Sequence, residues 1–172
     1  MSGLIHIYCG DGKGKTTASV GLSVRAAGSG KKVLFTQFFK NGSSSEIAVL
    51  KSIPGITVHV NEKYFGLYIR MNDEEKEEAR IAYTKLLEEV LEMAKGYDLL
   101  VLDEAVSSCN HGTIPEDLVV DFLRRKPDNL EVVLTGRKPS ERLVELADYV
   151  TEMKKIKHPI DDGIIARKGI EF

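Results

Sequence analysis

The sequence predicts an α/β fold, with a mostly parallel sheet of about six strands and helices on both faces. Three observations carry that expectation. Short apolar runs alternate with longer amphipathic segments from end to end of the chain. A glycine-rich loop, Gly10-Asp11-Gly12-Lys13-Gly14-Lys15-Thr16-Thr17, stands between the first apolar run and the first amphipathic segment. A continuous run, Leu99-Leu100-Val101-Leu102, has the pattern of a strand buried on both faces and ends on two acids, Asp103 and Glu104.

Leu4-Ile5-His6-Ile7-Tyr8 reads as the first strand, and residues 16–27, rich in Ala, Leu and Val, as a helix stopped by Gly28-Ser29-Gly30. Residues 32–38 give a second strand, 41–45 a loop, 46–51 a short helix and 56–60 a β-branched third strand. Asn72-Asp73 caps a long helix whose acidic first turn suits the positive end of the helix dipole, and Gly96 closes it. Residues 97–102 form a strand, 115–125 a helix, 130–135 and 149–153 two more strands, with a helix started by Pro139 between those two. No internal repeat or linker interrupts this alternation, so residues 1–172 read as a single domain.

Composition narrows the function classes. Lys and Arg number 24 against 26 Asp and Glu, which lacks the basic excess of a nucleic-acid binder. No apolar run approaches the roughly 20 residues that span a bilayer, and Met1-Ser2-Gly3-Leu4 is not the start of a signal peptide. Cys9 and Cys109 are too few for a disulfide scaffold. The expectation is a cytoplasmic protein with neither a nucleic-acid nor a membrane partner.

Phosphate is held well by backbone N–H groups converging at a helix N-terminus, and a chain that curls so tightly needs residues without a Cβ. Gly10, Gly12 and Gly14 meet that need; Asp11, Lys13 and Thr17 complete the loop; Lys15 reaches the terminal phosphates and the Thr16 hydroxyl coordinates Mg²⁺. Cys9 stands where the strict pattern has its leading Gly. The strand before and the helix after complete the context, so the fold class is P-loop NTPase-like (RecA-like). An acid ending such a buried strand meets the magnesium, directly or through water, which makes Asp103 and Glu104 metal candidates; spacing does not choose between them.

Arg137, after the strand that ends Leu134-Thr135, either clamps phosphate or is an exposed residue past a turn. The aromatic segment around Phe65 either joins the core or lines a pocket for a large flat ligand or a lid. Cys9, Cys109 and His111 are too scattered for a zinc site, and His6 and His59 read as structural.

These residues together resemble the ATP:corrinoid adenosyltransferases of the cobalamin P-loop type. The loop is similar to that family's own version, which also lacks the leading Gly. Gln37-Phe38-Phe39-Lys40 with Glu46, Tyr97-Asp98 through Asp103-Glu104, and Leu134-Thr135-Gly136-Arg137 match further motifs. Most specific is the tail: Ala147-Asp148, Val150-Thr151-Glu152-Met153, Lys157-His158-Pro159 and Gly169-Ile170-Glu171-Phe172.

The resemblance implies that a Co(I) corrinoid, of the cobalamin or cobyrinic acid a,c-diamide kind, attacks the 5′ carbon of ATP and expels triphosphate, in cobalamin biosynthesis or salvage. It implies Lys15, Thr16 and Glu104 as the catalytic set, favours Glu104 over Asp103 on magnesium, and implies phosphates reversed in the loop. It further implies a homodimer and an electron-donor flavoprotein as partner. The family's Phe-x-Trp pair is incomplete: Phe65 falls at the Phe position and Leu67 at the Trp position of a chain with no Trp. The chain starts at its first strand, without an N-terminal extension, from which a more open site is expected. The other readings of the same loop are a small-molecule kinase or ATPase, and a non-enzymatic ATP-dependent switch; two cysteines do not supply a four-cysteine zinc lasso.

Overall fold

A computed structural model describes every residue except Met1, Asn41, Tyr64, Leu67 and Phe172. Six strands pair in one sheet: β1 (Ile5–Cys9), β2 (Val33–Gln37), β3 (Ile56–Val58), β4 (Leu99–Asp103), β5 (Glu131–Thr135) and β6 (Tyr149–Glu152). Their order is β3-β2-β4-β5-β1-β6, and every pairing is parallel. The helices are α1 (Lys15–Gly28), α2 (Ser45–Ser52), α3 (Asp73–Met93), α4 (Ala105–Asn110), α5 (Glu116–Arg125) and α6 (Glu141–Leu146). The expected fold class is therefore met.

Alternation along each strand builds two cores. Ile7, Leu34, Leu100, Leu102, Val132 and Leu134 point to one face, where α3, α5 and α6 cover them with Leu87, Val90, Val120 and Leu143. Val33, Phe35, Leu99, Val101 and Val133 point to the other, under Ala26 of α1 and Ile47 and Leu50 of α2. All five residues of β2 and of β4 are buried, as strands with helices on both faces must be. Each such side chain contributes roughly 1.5–3 kcal/mol by leaving water. β6 differs: it lies at the edge, and all four of its residues are exposed.

Several boundaries depart from the sequence expectation for local reasons. Asp98 lies before β4 because its carboxylate accepts from Lys32 N–H at 2.8 Å, tying the two strand entries together. Ser140, not Pro139, starts α6, its hydroxyl accepting from Leu143 N–H at 3.3 Å. Asp148 caps the entry of β1, accepting from Ile5 N–H at 2.8 Å. The short α4 has no counterpart among the elements expected from sequence: at six residues it shows no periodicity to detect. The loop residue Asn41 lies outside the described residues.

The cap on α3 is reciprocal. Asn72 Oδ1 accepts from Glu75 N–H at 2.9 Å while Glu75 Oε2 accepts from Asn72 N–H at 2.8 Å. Asn72→Ala is expected to lower stability by about 1 kcal/mol, read as a lower urea midpoint at unchanged slope. An unmoved midpoint would contradict the role given to the cap.

Candidate active site

The glycine-rich loop leaves the C-terminal end of β1 and turns into α1 through Gly14, whose φ of 117° only glycine adopts readily. The Lys15 side chain folds back over the loop, its Nζ donating to the Gly12 carbonyl at 2.7 Å. Burial holds the Lys15 ammonium below the ordinary lysine range, against the opposing pull of Glu104.

The loop is also bound by the chain beyond β6. Gly12 N–H donates to the Met153 carbonyl at 2.6 Å, and Lys155 N–H donates to Asp11 Oδ1 at 2.9 Å. That second bond lowers the Asp11 pKa. A Cβ on Gly10 or on Gly12 would stand 2.5 Å from the Met153 carbonyl oxygen. The glycines thus admit the tail as well as the tight curl that phosphate binding requires.

Asp103 gathers the neighbouring strand ends. The register sets Gln37 of β2 opposite Asp103 of β4. Gln37 Nε2 donates to Asp103 Oδ2 at 2.9 Å, Thr16 Oγ1 donates to the same oxygen at 3.2 Å, and Thr135 Oγ1 donates to Oδ1 at 2.7 Å. Lys40 Nζ stands 4.0 Å from Oδ2 and 3.9 Å from Glu46 Oε1. The carboxylate is fully buried, and burial pushes its pKa up while Lys40 and Gln37 pull it down.

Glu104 is placed differently. It is half-buried, adopts a left-handed φ of 61°, and donates its N–H to Thr135 Oγ1 at 2.9 Å. Among the described residues the non-glycine positions with positive φ are Phe39, Glu104 and Lys138, which come after the C-terminal ends of the neighbouring strands β2, β4 and β5. Strain of this kind costs about 1–3 kcal/mol per residue and collects at functional sites.

A cavity of about 500 Å³ opens against the loop, lined by Lys13, Thr16, Thr17, Lys40 and Glu46 and, from the tail, by Ile170 and Glu171. Arg137 is exposed, with its charge acting on both Lys15 and Asp11. The structure therefore brings Lys13, Lys15, Thr16, Asp103, Glu104 and Arg137 to one end of the sheet. Gln37, Lys40, Glu46 and Thr135 join them. Residue chemistry alone assigns none of those four to the site, although the Thr36-Gln37 pair ending an otherwise apolar strand is a usable signal.

The aromatic segment divides between its two readings. Met71 is buried, and Phe65 is partly buried with its ring 5.5 Å from that of Tyr83. Tyr68 packs 4.7 Å from the His111 ring, and Ile69 is exposed. Tyr64 and Leu67, the latter at the family's Trp position, lie outside the described residues. Cys109 is held among apolar groups, and burial pushes its thiol up to about 12. His6 bonds Glu131 and His59 bonds Glu89, away from the loop.

Comparison with known proteins decides the family. The family described as ATP:corrinoid adenosyltransferase BtuR/CobO/CobP matches residues 1–172. The chain belongs to that family.

The chain is 33% identical over 172 residues to a corrinoid adenosyltransferase of Pseudomonas aeruginosa, spanning 99% of this chain and 84% of that protein. It is 33% identical over 176 residues to one of Escherichia coli K12 (99% and 86%), and 32% identical over 174 residues to corrinoid adenosyltransferase CobA of Salmonella typhimurium (99% and 86%). Family membership makes the chain a transferase. Among solved structures, EssC (ATPases 2 and 3) from Geobacillus thermodenitrificans superposes with a TM-score of 0.55 at 16% identity, over 97% of this chain and 35% of that one. That likeness is one of fold alone.

Two outcomes are expected from the geometry. Glu104→Gly relieves the left-handed backbone and is expected to raise unfolding stability by about 1 kcal/mol, measured by urea denaturation; a fall would contradict the strain. The Glu171 carboxyl, bonded by Arg167 and pulled down to about 2, gives a contribution present above the ordinary carboxylate range and lost as pH falls through that value. Its carbon-13 carboxyl shift should titrate near there; an ordinary midpoint would show the pair broken in solution.

Proposed function

We propose that the chain transfers the 5′-deoxyadenosyl group of ATP to the cobalt of a Co(I) corrinoid, releasing triphosphate, in cobalamin biosynthesis or salvage. Family membership over residues 1–172 carries this reading. The cobalt lone pair forms the Co–C bond as the C5′–O bond breaks, and that electron pair leaves on triphosphate. Co(I) is a strong nucleophile, so the protein's task is to orient two substrates and to stabilise charge on the leaving group.

The site suits that task. Lys13 and Lys15 and the amides of residues 10–17 other than Gly12, whose N–H serves Met153, hold the triphosphate, with Arg137 beside them. Thr16, Asp103 and Glu104 offer only hard oxygen donors, which fits Mg²⁺. With so few protein oxygens there, substrate oxygens would complete the coordination. When bound, the ion supplies Lewis-acid neutralisation of phosphate charge.

Glu104 is the direct ligand in this reading, because the Asp103 oxygens already serve Thr16, Gln37 and Thr135. Asp103 then orients Thr16. Phe65, at the family's Phe position, faces the corrinoid. We further propose that residues 1–172 act as one domain of a cytoplasmic homodimer, with an electron-donor flavoprotein supplying Co(I).

The test is direct. Protein, Mg-ATP and chemically reduced cobalamin are expected to yield a light-sensitive adenosylated product together with intact triphosphate. Release of ADP and phosphate without cobalt alkylation would support the kinase or ATPase reading instead. Lys15→Ala should lower the rate by about 100-fold or more, as loss of a charge-stabilising donor does, with the fold intact by circular dichroism.

A further inference from the structure

The tail motif is the most specific part of the sequence, and the transfer chemistry leaves it without a role. We infer that residues 169–171 form the nucleoside-facing wall of the nucleotide site, with the Glu171 carboxylate accepting a hydrogen bond from the ribose 2′-hydroxyl. This rests on the reading that the loop binds ATP.

The cavity itself is the first observation. Its lining holds Lys13, Thr16 and Thr17 of the glycine-rich loop together with Gly169, Ile170 and Glu171 of the tail. Its volume of about 500 Å³ suits a small ligand. The tail is anchored where it leaves β6, through Met153 to Gly12 and Lys155 to Asp11. Lys155 Nζ then holds Asp161 at 3.0 Å, steadying the turn that leads the chain back.

Glu171 is fixed rather than free. Arg167 donates to it through its backbone N–H at 2.8 Å, its Nε at 3.2 Å and its Nη2 at 2.9 Å. Its side chain retains 20% of its exposure, and with three of about four acceptor positions taken by Arg167 the carboxylate keeps one open.

Charge decides what the wall can meet. A nucleoside triphosphate is a polyanion at one end and a neutral polyol with a flat ring at the other. Lys13 and Lys40 take the first, Lys40 standing 3.9 Å from Glu46 in the same lining. A carboxylate is repelled by phosphate oxygens, but it is a strong acceptor for a hydroxyl. Ile170, 55% exposed beside it, offers apolar surface to a ring. The two parts of the lining match the two ends of the nucleotide.

The experiment measures binding by calorimetry with the full chain, Mg²⁺ and no corrinoid. ATP, 2′-deoxy-ATP and inorganic triphosphate are the probes. Glu171→Gln is expected to weaken ATP about ten-fold, to leave triphosphate within two-fold, and to shrink the preference for ATP over 2′-deoxy-ATP. Arg167→Gln, which loosens Glu171 but keeps its carboxylate, should give an intermediate loss. Equal weakening of ATP and triphosphate would mean a disturbed loop and would overturn the inference. So would unchanged or tighter ATP binding. No ATP binding by the unaltered chain would remove the reading beneath it, whereas failure of adenosyl transfer with ATP binding intact would count against that function and leave this wall standing.

Discussion

A single buried carboxylate organises the C-terminal end of this sheet. Asp103 is out of contact with water, and an unpartnered charge there would be expensive. It is tolerated because Thr16, Gln37 and Thr135 all donate to it. Those partners come from the first turn of α1, from β2 and from β5. The acid therefore locks the glycine-rich loop to three strands at once. Thr16 is held by its hydroxyl, and Glu104 is aimed by its N–H bond to Thr135. Removing one partner leaves the others facing a buried unsatisfied group, so the cluster stands as a unit.

Around this hub the backbone is under local tension. Phe39, Glu104 and Lys138 each take left-handed geometry as the chain leaves β2, β4 and β5. The packed strands beneath supply the stability that holds those turns. The sheet is rigid so that its rim can be shaped. The tail closes the arrangement from the far edge, where β6 is exposed and contributes little to the core. Beyond β6 the chain reaches the loop through hydrogen bonds at Gly12 and Asp11 instead of through apolar burial.

Much of this architecture is legible in the residues themselves. Fully apolar runs at 33–35 and 99–102 announce strands covered on both sides, and the Asn72 to Glu75 spacing announces the α3 cap. The glycine-rich loop between strand and helix announces phosphate binding. Other features are not legible. The α4 helix has only six residues. Gln37 and Thr135 lie 66 and 32 residues from Asp103 in sequence, and only the parallel register brings them to it. Gly10 and Gly12 look like devices for curling the loop, yet each also leaves space for Met153, more than 140 residues away.

By itself the sequence determined the α/β class, the glycine-rich loop between strand and helix, the acid pair at the end of the β4 run and the family resemblance, because these are written in local periodicity and short spacing. Tertiary structure alone decided the rest. It buried Asp103 among three donors and left Glu104 half-buried in a left-handed turn, two neighbours that spacing could not separate. It also carried the tail back to the loop to share one cavity with it. The physical reason is common to both: desolvation and contact depend on which strands lie side by side, and the order β3-β2-β4-β5-β1-β6 is a property of the packed sheet.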